Sequence, residues 1–306
     1  MVDIFLKTLP FFALIGLGYG SVRSGFFSTE ATAYLTRFVF YFALSAMLFG
    51  FAANLDIVAV FDWPLVLAYL AGTLLVWLVV AGIALVRHAP LDAAVFEAHA
   101  GVIGNVGFLG IPMLTLLLGP AAVGPILLVL AVDLIVFSSL LTLCITGLRA
   151  GRVGLGTFGA LIMGLLRNPM IVSVVLGLGW GGSGLPVPGP VNEFLTLLGA
   201  AATPCALFAI GGSLAERSAD RVGLAAWIAF AKLALHPAAV AAACLAFGAT
   251  GSGPKVIIAA AALPVAGNVF ILAQHYGVAP QRVSTAILLS TAASILTITG
   301  VIALLA

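Results

Sequence analysis

Apolar residues run along this chain in long blocks, and short polar or Gly/Pro-rich joins separate them. Ten blocks are predicted: Ile4–Val22, Ala31–Ala53, Pro64–Val86, Ala93–Leu118, Ala121–Leu148, Pro169–Trp180, Phe194–Leu214, Leu224–Phe247, Val256–Tyr276 and Val283–Leu305. A helix needs roughly 20 apolar residues to cross a bilayer, and most of the blocks reach that length. The sixth is short, and its start is expected before Arg167. The pattern predicts an all-α membrane protein with ten transmembrane helices.

Two blocks break the pattern. The fourth holds "GNVGFLGIP", Gly104 to Pro112, and the ninth holds "LPVAGNVF", Leu263 to Phe270. Proline removes a backbone donor and clashes with the preceding turn. Glycine weakens the helix further. Inside a bilayer each freed N–H or C=O needs a partner or a water-lined cavity. Both blocks are therefore expected to split into half-helices whose N-termini carry partial positive charge and bind carboxylates. Asn105 and Asn268 each add a carboxamide that donates and accepts. Gly104, Asn105, Pro112, Pro264, Gly267 and Asn268 form the predicted binding set.

Alternating ten helices places Arg23, Arg87, Arg149, Arg152, Arg167, Arg217, Arg221 and Arg282 on one side. Lys7 and Lys255 fall on the other, with Asp3, Asp56, Asp62 and Glu193. The positive-inside rule then puts both termini outside and the basic loops in the cytoplasm. The longest cytoplasmic connection, Arg149 to Arg167, leaves five helices on each side of it. An odd number per half inverts the second half, so residues 1–150 and 151–306 are expected to be inverted repeats. Pro10 and Pro169, in the first and sixth blocks, echo that symmetry weakly.

Composition agrees with a lipid solvent. The 306 residues are 63% hydrophobic and 7% charged, where a soluble domain carries roughly 25% charged residues. A net charge of +2 argues against nucleic-acid binding. Asp3 and Lys7 deny the first block a basic leader, so it is expected to stay as a membrane helix. Cys144, Cys205 and Cys244 stand alone, without metal-site spacing. "GRVGLG", Gly151 to Gly156, lacks the strand and the lysine of a nucleotide loop. No catalytic set is visible, so no enzyme and no cofactor are expected. "GLGYG" (Gly16–Gly20) and "GLGWG" (Gly177–Gly181) fit the small-residue spacing of close helix packing or dimerisation.

Charge inside a membrane block is expensive and usually functional. Asp133 lies mid-block and is a candidate for a coupling proton or sodium, or for a pair with a cation. Lys232 is a candidate partner for Asp133 or for an anion, although snorkelling outward is its plainer reading. Glu97 and His99 are expected to open the fourth helix in an interfacial cluster with Arg87. His236, before Pro237, reads as a hydrogen bonder at a kink. Ser45 and Thr203 are small or kinking positions that could line a cavity.

Several stretches resemble the auxin efflux carrier family, the plant carriers and their bacterial relatives. They are "TRFVFYFALSAMLF" (Thr36–Phe49), "NVGFLGIPML" (Asn105–Leu114), "LRNPMIVSVVLGLGW" (Leu166–Trp180), "LGAAATPCALFAIGGSLA" (Leu198–Ala215) and "AALPVAGNVFILAQHYGV" (Ala261–Val278). The resemblance implies ten helices in two inverted five-helix repeats, with crossing, broken fourth and ninth helices, a fold shared with the bile-acid symporters. It implies a scaffold of helices 1, 2, 6 and 7 and a transport domain of helices 3–5 and 8–10. Its function would be secondary-active, elevator-type transport of a small organic anion, auxin-like or a mono- or dicarboxylate. Coupling to protons or sodium would accompany it, and a homodimer through the scaffold is compatible with it. A sodium-coupled symporter and a non-transporting receptor are the alternatives. Ser45 stands where the plant carriers usually have proline, and the long central loop of those carriers is absent.

Overall fold

Where the blocks avoid proline, long helices form, and where proline or paired glycines interrupt, the helices stop. The computed structural model describes residues 2–55, 62–150, 155–215 and 222–305. Asp56, Arg152, Arg217 and Arg221 lie outside them. The described helices are α1 (Val2–Arg23), α2 (Thr29–Ala53), α3 (Trp63–Val86), α4 (Leu91–Val102), α5 (Val106–Leu118), α6 (Pro120–Arg149) and α7 (Leu155–Arg167). After them come α8 (Pro169–Gly182), α9 (Gly189–Ala215), α10 (Val222–Ala246), α11 (Gly253–Ala261), α12 (Gly267–Tyr276) and α13 (Pro280–Leu305). No strand occurs among the described residues.

Six helices, α2, α3, α6, α9, α10 and α13, are long and apolar enough to cross a membrane, and they match six of the predicted blocks. The fourth block is split into α4 and α5, and the ninth into α11 and α12. The connection expected between Arg149 and Arg167 contains α7. Asn168 ends it. The residue before a proline avoids helical backbone, and Asn168 is extended at φ −83°, ψ 110°. Its Oδ1 accepts from the Met170 amide at 3.0 Å, and Pro169 takes the first position of α8, where a missing N–H costs nothing. The sixth block therefore starts at Pro169, after Arg167 and not before it, and α7 is a separate helix.

α1 lies along α9, and α2 packs against α8 and α9. Around α3 a second group gathers: α3 packs on α4 and α10, α10 on α13, and α11 on α6. The deepest core surrounds the four short helices, where Phe96, Ile103, Val106, Leu109, Ile257, Leu263 and Val265 are buried. Leu74, Leu75, Leu78 and Leu197 are exposed on the long helices, as lipid-facing side chains would be. At one end, the buried Glu97 of α4 binds both Arg87, just after α3, and Arg282 of α13. Glu97 is thus the seventh residue of α4, inside the fold and not at its opening turn.

Glycine lets the helix pairs touch. A Cβ on Gly18 would collide with the Phe208 carbonyl, and one on Gly211 with the Ile15 carbonyl. One on Gly72 would come within 2.7 Å of the Val240 Cα. Gly177 and Gly181 of "GLGWG" press on the Phe49–Leu55 backbone, as expected. In "GLGYG" the contact is made by the middle glycine: Gly16 and Gly20 meet nothing within 4 Å. Overpacking by a methyl group costs about 1–3 kcal/mol. Gly211→Ala is expected to lower the thermal unfolding temperature in detergent, while Gly16→Ala leaves it unchanged.

Candidate functional site

The two interrupted spans meet each other. Ile103, after α4, is extended, and so is Ala266, before α12. Their short links run antiparallel and pair across a Gly104–Val265 bridge. The Asn105 amide donates to the Pro264 carbonyl at 2.8 Å, and the Ala266 amide to the Ile103 carbonyl at 3.1 Å. Backbone freed by helix breakage thus finds partners in the other broken span, as an apolar interior demands. Pro264 contributes an acceptor and carries no N–H that would need one. Helices on either side complete the pairing. Ser290 of α13 accepts the Val265 amide at 3.1 Å, and the Asp133 carboxyl of α6 lies against the Gly104 amide.

Side-chain ends crowd two of the glycines here too. A Cβ on Gly110 would lie 2.5 Å from Leu263 Cδ1, and one on Gly104 3.2 Å from Lys232 Nζ.

Beside the crossing lies a cavity of about 80 Å³. One wall is the crossing itself: Gly104, Asn105, Gly107, Ala266, Gly267 and Asn268, backed by Asp133. The facing wall is Phe40, Asn168 and Met170 from α2 and the start of α8. Asn105 is 7% exposed, and its side chain makes no capping hydrogen bond. Oδ1 of Asn268 is buried without a partner; buried polar atoms are usually paired, so this acceptor awaits a donor. First-turn amides of α5 and α12 have no preceding turn to bond, and Gly107, Phe108, Gly267 and Asn268 of those turns line the cavity.

Behind the crossing is a buried polar chain. Tyr69 of α3 donates to Asp133 Oδ1 at 2.8 Å, and Oδ2 has no hydrogen-bond partner. Lys232 of α10 is fully buried and donates to the Ala261 carbonyl at the end of α11. Its Nζ lies 3.1 Å from His236 Nδ1, and His236 Nε2 lies 2.9 Å from Thr73 Oγ1. Lys232 is within electrostatic reach of Asp133. Both charges sit on π-helical turns, Val132–Phe137 and Ala231–Leu235; such turns widen a helix locally and are frequent at functional sites. Outward snorkelling of Lys232 is therefore not observed: carbonyl and imidazole acceptors inside the fold hold its ammonium there. His236 is a hydrogen bonder, as expected, and His99 is fully buried.

Of the predicted residues, Gly104, Asn105, Gly267, Asn268 and Asp133 line the cavity. Pro264 belongs to the crossing through its carbonyl, and Pro112 begins the regular part of α5. Ser45 and Thr203 do not line it; Ser45 donates to its own helix at Phe40. Sequence reasoning missed Tyr69, Asn168, Met170 and Ser290. A signal existed for two of them. Tyr69 and Thr73 repeat the one-turn polar spacing of Lys232 and His236, and Asn168 precedes a proline.

A family model described as "Membrane transport protein" matches residues 3–153 and 157–302. A Rhizobium meliloti (strain 1021) protein named for malonate transport is 30% identical over 312 residues, covering 100% of this chain and 97% of that protein. Two Oryza sativa subsp. japonica proteins named as auxin efflux carrier components, 1b and 1d, are each 30% identical over 131 residues, 40% of this chain and 24% of theirs.

The buried chain generates a stability prediction. Removing one member of a buried charge pair leaves the other uncompensated, at a cost of about 3 kcal/mol or more, whereas removing both is often near neutral. Lys232→Met is expected to lower the unfolding temperature in detergent, and Lys232→Met combined with Asp133→Asn to recover most of the loss.

Proposed function

This chain belongs to the membrane transport protein family, and from that premise we propose that it is a secondary-active transporter of a small organic anion, a mono- or dicarboxylate, working by alternating access. It is an integral membrane protein and a transporter, not an enzyme. One observation supports the substrate class: Asn105, 7% exposed and making no capping hydrogen bond, stands at the start of α5 on a cavity beside the crossing, where α12 also begins. Helix N-termini and amide hydrogens favour anions. The malonate in the name of the Rhizobium relative is of this class.

The proposed movement follows the packing. The group around α3–α6 and α10–α13 would slide as an elevator against α1, α2, α8 and α9. Residues 1–150 and 151–306 would be inverted repeats. In support, Tyr69 and Thr73 on α3 face Asp133 and His236, while Lys232 and His236 take the same spacing on α10. Asp133 and Ser290, on α6 and α13, each approach an amide of the bridge. The helix ends bearing Arg87, Arg149 and Arg282 also gather: Glu97 binds two of them, and Arg149 donates to the Tyr276 carbonyl, whose ring lies 6.1 Å from Phe96. That clustering supports a single cytoplasmic side, with both termini in the periplasm of an inner membrane.

Protons suit the coupling better than sodium. The carbonyl ends of broken helices are where transporters coordinate sodium. Here the Lys232 ammonium already donates to that end of α11. Asp133 Oδ2 is unpartnered at the cavity wall, and an anion is repelled by an ionised carboxylate. The site would fill most readily when Asp133 holds a proton.

Counterflow in liposomes tests the reading. Internal unlabelled malonate is expected to accelerate entry of labelled malonate, and zero flux with tight binding would mark a receptor. A hydrogen bond to a charged group contributes about 1.5–3 kcal/mol, so Asn105→Ala is expected to weaken apparent affinity about tenfold or more. Acidifying the substrate side should speed wild-type uptake but not that of Asp133→Asn, and replacing sodium with choline should leave wild-type uptake unchanged.

A further inference from the structure

The cavity wall carries open acceptors as well as helix starts. Asp133 lines it, is 2% exposed and takes the Tyr69 hydroxyl on Oδ1, while its Oδ2 has no hydrogen-bond partner. Oδ1 of Asn268, on the same wall, is a second buried acceptor without a partner. We propose that the ligand brings the missing donor: it is bound as a half-protonated dicarboxylate, whose acid O–H donates to Asp133 Oδ2 while its carboxylate lies at the starts of α5 and α12. This rests on the anion-transport reading above and narrows it to acids that carry a proton donor beside the charge.

Asp133 is set up as an acceptor. Tyr69 of α3 donates to it, the Gly104 amide approaches it, and Lys232 of α10 is within electrostatic reach. His236 turns its ring nitrogens to Lys232 and Thr73, not to Asp133. All three neighbours of the carboxyl are donors, and an ionised carboxyl offers acceptors only. Exchanging atom assignments, which can reverse a carboxamide, changes nothing here. A buried acceptor left open costs the desolvation of the group. Among the described residues, no lysine or arginine lines the cavity to fill the role. A ligand with a carboxylate alone would leave Oδ2 open and set negative charge against negative charge. A half-protonated dicarboxylate removes both faults. Its proton lies between two carboxyl oxygens in a charge-assisted hydrogen bond, and the pair carries one negative charge less. Which carboxyl brings that proton is immaterial: protonated Asp133 meeting the dianion gives the same complex as ionised Asp133 meeting the monoanion.

The probes are malonamate and acetoacetate. Both are monoanions of the same shape, and they differ at one group: an amide NH2 that donates, or a methyl that cannot. Binding is measured by calorimetry in detergent and transport by counterflow in liposomes, with malonate as the reference. The wild-type protein is expected to bind malonamate about tenfold more tightly than acetoacetate or better, the fold-change of one hydrogen bond to a charged group. In Asp133→Asn a carboxamide offers a donor where the carboxylate offered only acceptors, so the ratio is expected to fall to within about threefold. The wild-type comparison decides the matter even if that variant does not fold. Equal wild-type affinity for the two probes would overturn the proposal. So would a ratio that persists in Asp133→Asn, because the acceptor would then lie elsewhere. Sodium that tightens acetoacetate to the level of malonamate would overturn it too, since a cation would then satisfy Oδ2. A protein that neither binds nor moves malonate or either probe would instead overturn the anion-transport reading itself.

Discussion

A helix that stops inside an apolar fold leaves amides and carbonyls that water cannot reach, each costing several kcal/mol if unpaired. Here the chain stops twice, and each stop is the other's remedy. Two backbone hydrogen bonds between the links at Gly104 and Val265, with Ser290 accepting the Val265 amide, satisfy most of the break, and Asp133 approaches the Gly104 amide. Most other features near the site are consequences. Gly104 and Gly110 are glycines because Lys232 and Leu263 fill the space their side chains would take. Lys232 is buried because the open end of α11 presents a carbonyl that needs a donor. Asp133 answers the charge that Lys232 brings.

This arrangement connects stability with chemistry. The groups that would otherwise be liabilities, unpaired amides at helix starts and a carboxamide without a partner, are kept on the cavity side, while the paired ones face the interior. An anion entering the cavity would complete a hydrogen-bond inventory that the fold leaves open. Among the described residues, the cavity lining holds carboxamides from the crossing and from α8, one carboxyl from α6, and no lysine or arginine.

Much of this was legible in the chain. The repeated Gly-Asn-Val triplets and their prolines marked both breaks, because proline and glycine act on the backbone locally. Long apolar helices followed from block length alone. The partners of the breaks were harder. Ser290 sits in an ordinary membrane helix, and only the three-dimensional crossing tells which of the serines in α13 meets an amide. Lys232 read as a snorkelling lysine because its acceptor, the Ala261 carbonyl, is 29 residues away and is exposed only by the break itself. Thr203 and Ser45 looked suitable by size, but their helices turn them elsewhere. α7 was taken for a connection because two arginines framed it, while its ending depends on the Asn168–Pro169 step.

Met170 stands over Gly107 with its terminal methyl, 2.7 Å from where a Cβ would sit, and the two belong to opposite walls. Nothing polar joins the walls at that point among the described residues. The junction is a soft thioether tip resting on bare peptide, and methionine is the most adaptable of apolar side chains. If the two walls slide as proposed, this contact would exchange dispersion alone, and breaking it would cost no hydrogen bond.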